Sequence, residues 1–159
     1  MSVTIEERQS ALLIMQKQHH RTCVVCGDLN PNGLRVSFDV CPDGAVEAQI
    51  VFAEDREGYV GHLHGGVIAS LLDGAMTNCL FSHAVRAVTG ELTVRIHRPL
   101  RAGVAIVARG WLERGMPPFY LMAAELRQNG RLAARAKAKF MRKEAPTILP
   151  HVVINQEKP

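Results

Sequence analysis

Residues 67–85, VIASLLDGAMTNCLFSHAV, decide the fold of this 159-residue chain. The segment contains no proline, and apolar side chains cover most of the circumference of a helix of about eighteen residues. A helix that is apolar on nearly every side is stable only when other elements enclose it. We therefore predict one long, buried, central helix here.

The segments that flank this helix alternate with a period of two, which is typical of half-buried strands. Two strands are predicted before it and four after it, at 34–40, 46–52, 92–96, 103–113, 119–127 and 131–142. A capping box at Thr4 and Glu7 begins a further helix that extends to about Lys17. This order predicts an α+β fold, in which an antiparallel sheet of about five to six strands wraps around the central helix.

The composition indicates one globular domain. With 47% apolar and 21% charged residues, the chain is not of the disordered class, and its length allows one good core. We expect residues 1–33 to form a leader with the N-terminal helix and a cysteine-containing loop. Residues 34–145 then form the domain and 146–159 a tail.

No membrane or export segment is expected. The chain has no run of about 18 apolar residues, so no membrane partner is predicted. The first residues, MSVTIEERQS, carry acidic side chains where an export signal has basic ones. We therefore expect a cytoplasmic protein whose four cysteines are reduced.

The net charge of +4 comes mostly from arginine. Arginine binds phosphates with paired N–H groups, but an ordinary solvated surface explains the same surplus. The aromatic residues are few and scattered, unlike a base-stacking surface. Nucleic acid is therefore not an expected partner.

One face of the central helix carries a narrow polar stripe. At about 100° per residue, Gly66, Ser70 and Thr77 lie within about 60° of Asp73. A carboxylate on such a helix is destabilising unless it is paired, hydrated or functional. Asp73 is thus either a structural hydrogen-bond acceptor or the reactive group of a site.

The helix follows the sequence His64-Gly65-Gly66. Glycines at a helix start leave the first amides sterically open, and these unpaired N–H groups carry the positive end of the helix dipole. Such groups stabilise an oxyanion or polarise a carbonyl.

Residues 62–76, HLHGGVIASLLDGAM, resemble the signature of hotdog-fold acyl-CoA thioesterases of the phenylacetate-degradation (PaaI-like) group. In that group His-Gly-Gly opens the central helix, and an acidic residue follows nine positions after the histidine, as Asp73 follows His64 here. The resemblance extends over about residues 34–142. A leader with Cys23-x-x-Cys26 is similar to that of some members.

The resemblance implies a role for four residues. Asp73 would be the general base or the nucleophile, and the Gly65 N–H would polarise the thioester carbonyl. His64 would fix the loop beside it, and Thr89, ten positions before Pro99, would orient the attacking water. Two departures are Gly58, where some relatives have asparagine, and Gly74, where many have glutamate.

The implied substrate is an acyl-CoA, with coenzyme A as part of the substrate and no separate cofactor. Gly66 and Ser70 are candidate binding residues on the stripe, and Arg98 and Arg101 are candidates for the coenzyme A phosphates. Arg135, Lys137 and Lys139 are candidates too, although cross-strand pairing on a solvated sheet face explains them equally well.

The spacing of Gly65 and Asp73 predicts an oligomer. Eight residues of helix separate them by about 12 Å, whereas one thioester requires both groups within about 3 Å of adjoining atoms. The two groups must therefore come from different subunits, and a dimer is required. The resemblance implies dimers of dimers, hence a homotetramer.

Cys23-x-x-Cys26, preceded by His19 and His20, also invites interpretation as a zinc site. A closed structural zinc site has four ligands, and no second cysteine pair follows at the necessary spacing. We therefore predict a packed loop without a metal.

The sequence leaves one other function open and argues against two more. A non-catalytic acyl-CoA- or lipid-binding hotdog protein shares the fold and stays open. A hotdog dehydratase or hydratase uses a different spacing of histidine and acid, and a nucleic-acid module lacks the required surface.

Overall fold

The computed structural model describes residues 3–143, so the predicted tail at 146–159 lies outside the described residues. It contains two α-helices, a short 3-10 turn at Glu54–Arg56 and six strands. These are α1 (Ile5–His19), β1 (Asp39–Val40), β2 (Val46–Ile50), α2 (Gly65–Ser82), β3 (Ala87–Ile96), β4 (Ile106–Met116), β5 (Phe119–Gln128) and β6 (Arg131–Arg142).

The six strands form one antiparallel sheet in the order β1-β2-β4-β5-β6-β3. The sheet wraps around α2, which confirms the predicted α+β fold with a central helix. Strand β3 is one edge of the sheet, and its long free side runs beside the polar stripe of α2. The only α-helices among residues 3–143 are α1 and α2, and neither is long and apolar enough to cross a membrane.

Small residues let the sheet approach the central helix closely. A Cβ on Gly110 of β4 would lie 2.6 Å from the carbonyl atoms of Ala75, so only glycine fits at this contact. The inward alanines of β6 are buried in the same way, while its basic residues point outward. The predicted alternation is therefore confirmed from Ala134 to Phe140, whereas Ala133, at a bulge against β5, is buried as well.

The predicted first strand is too long. Apolar side chains of 34–40 alternate inward as expected, but only Asp39–Val40 pair with β2. The backbone before β1 bonds to the leader loop instead, with Leu34 N–H donating to the Val24 carbonyl at 2.7 Å and Val36 N–H to the Val25 carbonyl at 2.8 Å. The Gln9 side chain of α1 accepts from Val40 N–H at 2.7 Å and donates to the Phe38 carbonyl at 3.3 Å. Arg35, with a φ of 53°, also interrupts the extended conformation.

Helix α1 and the loop after it cover the side of α2 that the sheet leaves open. Leu12 is fully buried, and Gln16 donates to the side chain of Asn78 at 2.6 Å. Val25 packs where Gly74 has no side chain, because a Cβ on Gly74 would lie 2.5 Å from Val25 Cγ1. The leader is thus part of the core.

Candidate active site

Asp73 and Thr89 form the centre of the candidate site. Thr89 Oγ1 donates to Asp73 Oδ1 at 2.7 Å, so the edge strand and the central helix are joined at this point. Asp73 is half-buried and Thr89 is exposed. The pair therefore opens to solvent along the free side of β3.

A bulge turns Thr89 toward the helix. The pairing of β3 with β6 skips Gly90, so that Thr89 lies opposite Phe140 and Glu91 lies opposite Lys139. Phe140 is buried and Lys139 is exposed. Thr89 consequently points inward, whereas strict alternation from Glu91 would turn it outward.

Burial raises the pKa of Asp73 above the ordinary value for a carboxyl group, because desolvation disfavours its charged form. The hydrogen bond from Thr89 stabilises the carboxylate and opposes part of this effect. A carboxylate with a raised pKa is a stronger base than an exposed one.

His64 caps the N-terminus of α2. Its Nδ1 accepts from Gly66 N–H at 2.8 Å, which assigns the proton of the neutral imidazole to Nε2. The His64 N–H donates to the Arg56 carbonyl at 3.0 Å, so the cap is anchored to the preceding loop. Gly65 stands exposed at the first helical position, where the N–H group has no intrahelical acceptor.

Gly58 lies against this cap. A Cβ at this position would come within 3.1 Å of His64 Cδ2. Some relatives have asparagine at this position. Because Gly58 has no side chain, it leaves room for the imidazole of His64.

The predicted polar stripe lines a small cavity. Ser70, Asp73 and Thr77 border a space of about 120 Å³ on one side of α2. Ser70 Oγ donates to the Gly66 carbonyl at 2.8 Å, so in this state the hydroxyl bonds to its own helix.

The opposite wall of the cavity is the leader, with His20, Cys23 and Cys26. The sequence predicted a packed loop but not its place beside Asp73. Two features of the sequence could have indicated this place: Gly27, which ends the Cys-x-x-Cys-Gly turn, and Gly74, which follows Asp73. Both glycines allow another part of the chain to approach the backbone closely. A Cβ on Gly27 would lie 2.4 Å from the Cys23 nitrogen.

The thiols of Cys23 and Cys26 are hydrogen-bonded to each other. The Cys26 thiol holds the pKa of Cys23 below its ordinary value, and His20 acts in the same direction. The pKa of Cys26 is raised by the same contact and by burial.

Arg98 and Arg101 border a groove of about 450 Å³, together with Arg131 and Gln128. The groove lies close to the start of α2. The Leu63 N–H donates to the Leu100 carbonyl at 2.9 Å, and His62 forms an isolated β-bridge with Arg101. Arg131 was not singled out in the sequence.

Three basic residues of β6 are paired with glutamates of other strands of the sheet. The contacts are Arg135–Glu125 at 3.3 Å, Lys137–Glu113 at 3.2 Å and Lys139–Glu91 at 2.8 Å. This is the cross-strand pairing on an outer sheet face that the sequence left open.

The structure therefore brings Asp73, Thr89 and Ser70 together and leaves Gly65 and His64 at the other end of the stripe. At 1.5 Å per residue, Gly65 and Asp73 are about 12 Å apart along α2. Within this chain the two groups do not meet.

The known proteins to which this chain is similar include members of the thioesterase superfamily. The family model described as the thioesterase superfamily matches residues 60–115, which include His64, Gly65, Asp73 and Thr89. No curated protein matches the chain.

Among solved structures, a thioesterase superfamily protein is 22% identical, with a TM-score of 0.74 over 89% of this chain and 68% of its own. The E. coli PaaI protein from the phenylacetic acid degradation operon is 16% identical, with a TM-score of 0.73 over 90% of this chain and 98% of its own. A hypothetical thioesterase from Streptococcus pneumoniae TIGR4, crystallised with coenzyme A, is 16% identical, with a TM-score of 0.64 over 68% and 85%. At these identities the likeness shows a shared fold.

Proposed function

We propose that this chain, whose residues 60–115 match the thioesterase superfamily model and whose fold is similar to that of the PaaI protein, hydrolyses an acyl- or aryl-acyl-CoA thioester, with Asp73 as the general base or nucleophile. The observation that carries the proposal is the bond from Thr89 to Asp73 Oδ1. It orients the carboxylate and leaves Oδ2 for the reaction.

Two routes are open to Asp73. As a general base, it takes a proton from water while the water oxygen attacks the thioester carbon, after which the C–S bond breaks and the proton leaves with the thiol. As a nucleophile, Oδ2 attacks the carbon itself and expels the thiolate, and water then hydrolyses the mixed anhydride. The raised pKa of Asp73 favours either role.

The Gly65 N–H is the group that we assign to the thioester oxygen. It stands at the exposed first position of α2, where the helix dipole favours the developing negative charge. His64 occupies Gly66 N–H and thereby fixes the geometry of the turn.

The complete site combines two subunits, with Gly65 of one and Asp73 of the partner subunit. The free edge of β3 supports this arrangement, because an unpaired strand edge is a template for pairing with a second chain, and Val88 and Ile96 on it are exposed. We propose that two β3 edges pair antiparallel about a centre between residues 92 and 93, a register that would put Thr89 opposite Ile96 of the partner subunit.

That pairing also brings the two catalytic groups toward each other. A Cβ on Gly65 would lie 3.7 Å from Ile96 Cδ1, so the end of β3 marks the position of the Gly65 amide. We therefore propose a dimer as the active unit, assembled into a tetramer.

The groove of Arg98 and Arg101 is the proposed site for the coenzyme A phosphates. The groove adjoins the segment before Gly65. The N–H of Gly65 is the group proposed to hold the thioester carbonyl. The coenzyme A bound to the similar streptococcal protein is consistent with this ligand class. We place the reaction in the cytoplasm, in agreement with the four free cysteines.

The alternative is a protein that binds acyl-CoA without hydrolysing it. Gly58 favours this alternative, because the position lacks the asparagine amide that helps to hold the thioester in some relatives.

Asp73→Asn tests the proposal directly. The purified protein is assayed with a panel of aliphatic and aromatic acyl-CoAs by measuring free thiol release. We expect kcat/KM to fall by about 10²–10⁴-fold in the variant, while Asp39→Asn, at an exposed aspartate of β1, retains the parent rate. Equal rates for Asp73→Asn and the parent would disprove the role of Asp73, and binding without turnover by the parent would favour the alternative.

A further inference from the structure

Three metal-ligating side chains converge on the leader side of the cavity. The ligand atoms of His20, Cys23 and Cys26 all lie within 4.8 Å of one another, and Cys26 Sγ is 3.7 Å from His20 Nδ1. All three residues are half-buried. No other such cluster occurs within residues 3–143.

The spacing agrees with tetrahedral coordination. With Zn–S at about 2.3 Å and Zn–N at about 2.05 Å, two ligands at a tetrahedral angle are about 3.6 Å apart. The distance of 3.7 Å between Cys26 Sγ and His20 Nδ1 is close to this value.

The backbone holds the three residues in this arrangement. Cys23 N–H donates to the His20 carbonyl at 3.0 Å, and Gly27 N–H donates to the Cys23 carbonyl at 3.0 Å. The His20 ring packs edge-on against Phe81 of α2, with centroids 4.7 Å apart. The ligands are therefore positioned by the fold.

We propose that His20, Cys23 and Cys26 bind one Zn²⁺ ion, with a water molecule as the fourth ligand in the cavity beside Asp73. Two thiolates and one imidazole suit a borderline-soft ion such as zinc, whereas magnesium and calcium prefer oxygen ligands. The cavity of about 120 Å³ has room for the water molecule. The ion ties the end of α1, at His20, to the loop after it, and its water molecule faces the side of α2 that carries Asp73.

This zinc site has an open position, unlike the structural site with four protein ligands that the sequence argued against. Four protein ligands close a structural zinc site, but three protein ligands with an open position also bind zinc. The sequence supplied only a cysteine pair and two adjacent histidines, and the fold selects His20 over His19, which is exposed.

The test is the metal content of the full chain, purified without a histidine tag. We expect about one zinc per chain in the parent and a loss of at least tenfold in Cys23→Ser, Cys26→Ser and His20→Gln. Cys41→Ser and His19→Gln are the matched controls, since Cys41 lies in the β1–β2 turn beside Arg109, and both should keep the metal.

Cobalt provides a second measurement that does not depend on the variants folding. Co²⁺ added to the metal-free parent should produce a thiolate-to-cobalt charge-transfer band and the visible bands of a four-coordinate ion. Absence of zinc together with absence of these bands overturns the proposal. Zinc retained after Cys23→Ser, or a Cys23–Cys26 disulfide found in the freshly purified protein, overturns it as well. Because no substrate is involved, failure here leaves the proposed hydrolysis untouched.

Discussion

Thr89 and Asp73 lie sixteen residues apart in the chain, yet a 2.7 Å hydrogen bond joins their side chains across the gap between an edge strand and the central helix. The bulge at Gly90 makes this contact possible by turning Thr89 inward. The helix supplies the carboxylate and the strand supplies its orienting group, so the reactive pair depends on how the two elements pack.

Removing the Thr89 hydroxyl should therefore slow the reaction. For Thr89→Ala we expect kcat to fall by about 10–100-fold, the equivalent of a hydrogen bond to a charged group. KM should change little, because the hydroxyl positions Asp73 and does not bind the ligand. Thr89→Ser should restore most of the rate.

Thr93→Ala is the matched control for this experiment. Thr93 lies on the same strand opposite Lys137 and faces away from the helix. Steady-state kinetics of the four proteins check the prediction. A Thr89→Ala enzyme with unchanged kcat would assign the bond a structural role only.

Gly65→Pro removes the proposed donor to the thioester oxygen without a change of fold. Proline is favoured at the first position of a helix, and His64, with φ −63° and ψ 137°, already has the conformation preferred before proline. We expect kcat to fall by about 10²–10³-fold, as for loss of one oxyanion donor.

Gly65→Ala keeps the N–H and is the control. Its Cβ would make an ordinary contact of 3.7 Å with Ile96, so we expect nearly parental kinetics. Thermal melts of both variants verify that the helix start is intact. If the proline and alanine variants have the same kcat, the Gly65 amide does not act on the substrate.

Arg98→Ala and Arg101→Ala should weaken the binding of acyl-CoA. Each lost charged contact is expected to raise KM by about tenfold, since about 1.4 kcal/mol corresponds to a factor of ten. A thioester of pantetheine, which has no phosphate, should show no such change. Arg135→Ala is the control, because Arg135 is paired with Glu125 on the outer face of the sheet. Equal effects on both substrates would contradict a phosphate-binding role.

Glu125 should make stability depend on pH. Burial by itself raises the pKa of this carboxyl, but the hydrogen bonds and charges of Arg127, at 2.7 Å, and Arg135, at 3.3 Å, outweigh it and lower the pKa. A lowered pKa in the folded state stabilises the protein above the unfolded pKa of about 4.3, and this contribution is lost as the pH falls through the folded value.

Urea unfolding of Glu125→Gln and the parent measures this contribution. We expect the variant to be about 1–2 kcal/mol less stable at pH 7, with the difference shrinking toward pH 3. Glu113→Gln, at a more exposed ion pair, should cost at most about 0.5 kcal/mol. A difference for Glu125→Gln that stays constant from pH 7 to pH 3 would exclude the carboxylate as its source.

Local patterns were sufficient to predict much of the fold. The apolar, proline-free segment determined the central helix, and the alternation of residues 131–142 predicted β6 with its observed bounds. The stripe of Ser70, Asp73 and Thr77 could be read from helical periodicity alone, because the positions of side chains on a helix depend only on their spacing.

Only the tertiary structure decided which groups meet. The inward turn of Thr89 depends on its register against β6, and Leu34 and Val36 bond to the leader loop while only Asp39–Val40 pair with β2. The convergence of His20, Cys23 and Cys26 beside Asp73 depends on a loop packed against a helix more than forty residues further along the chain. Periodicity reports one element at a time, whereas these contacts are set by the packing of elements that are distant in sequence, and a single bulge or a missing Cβ decides which way a side chain faces.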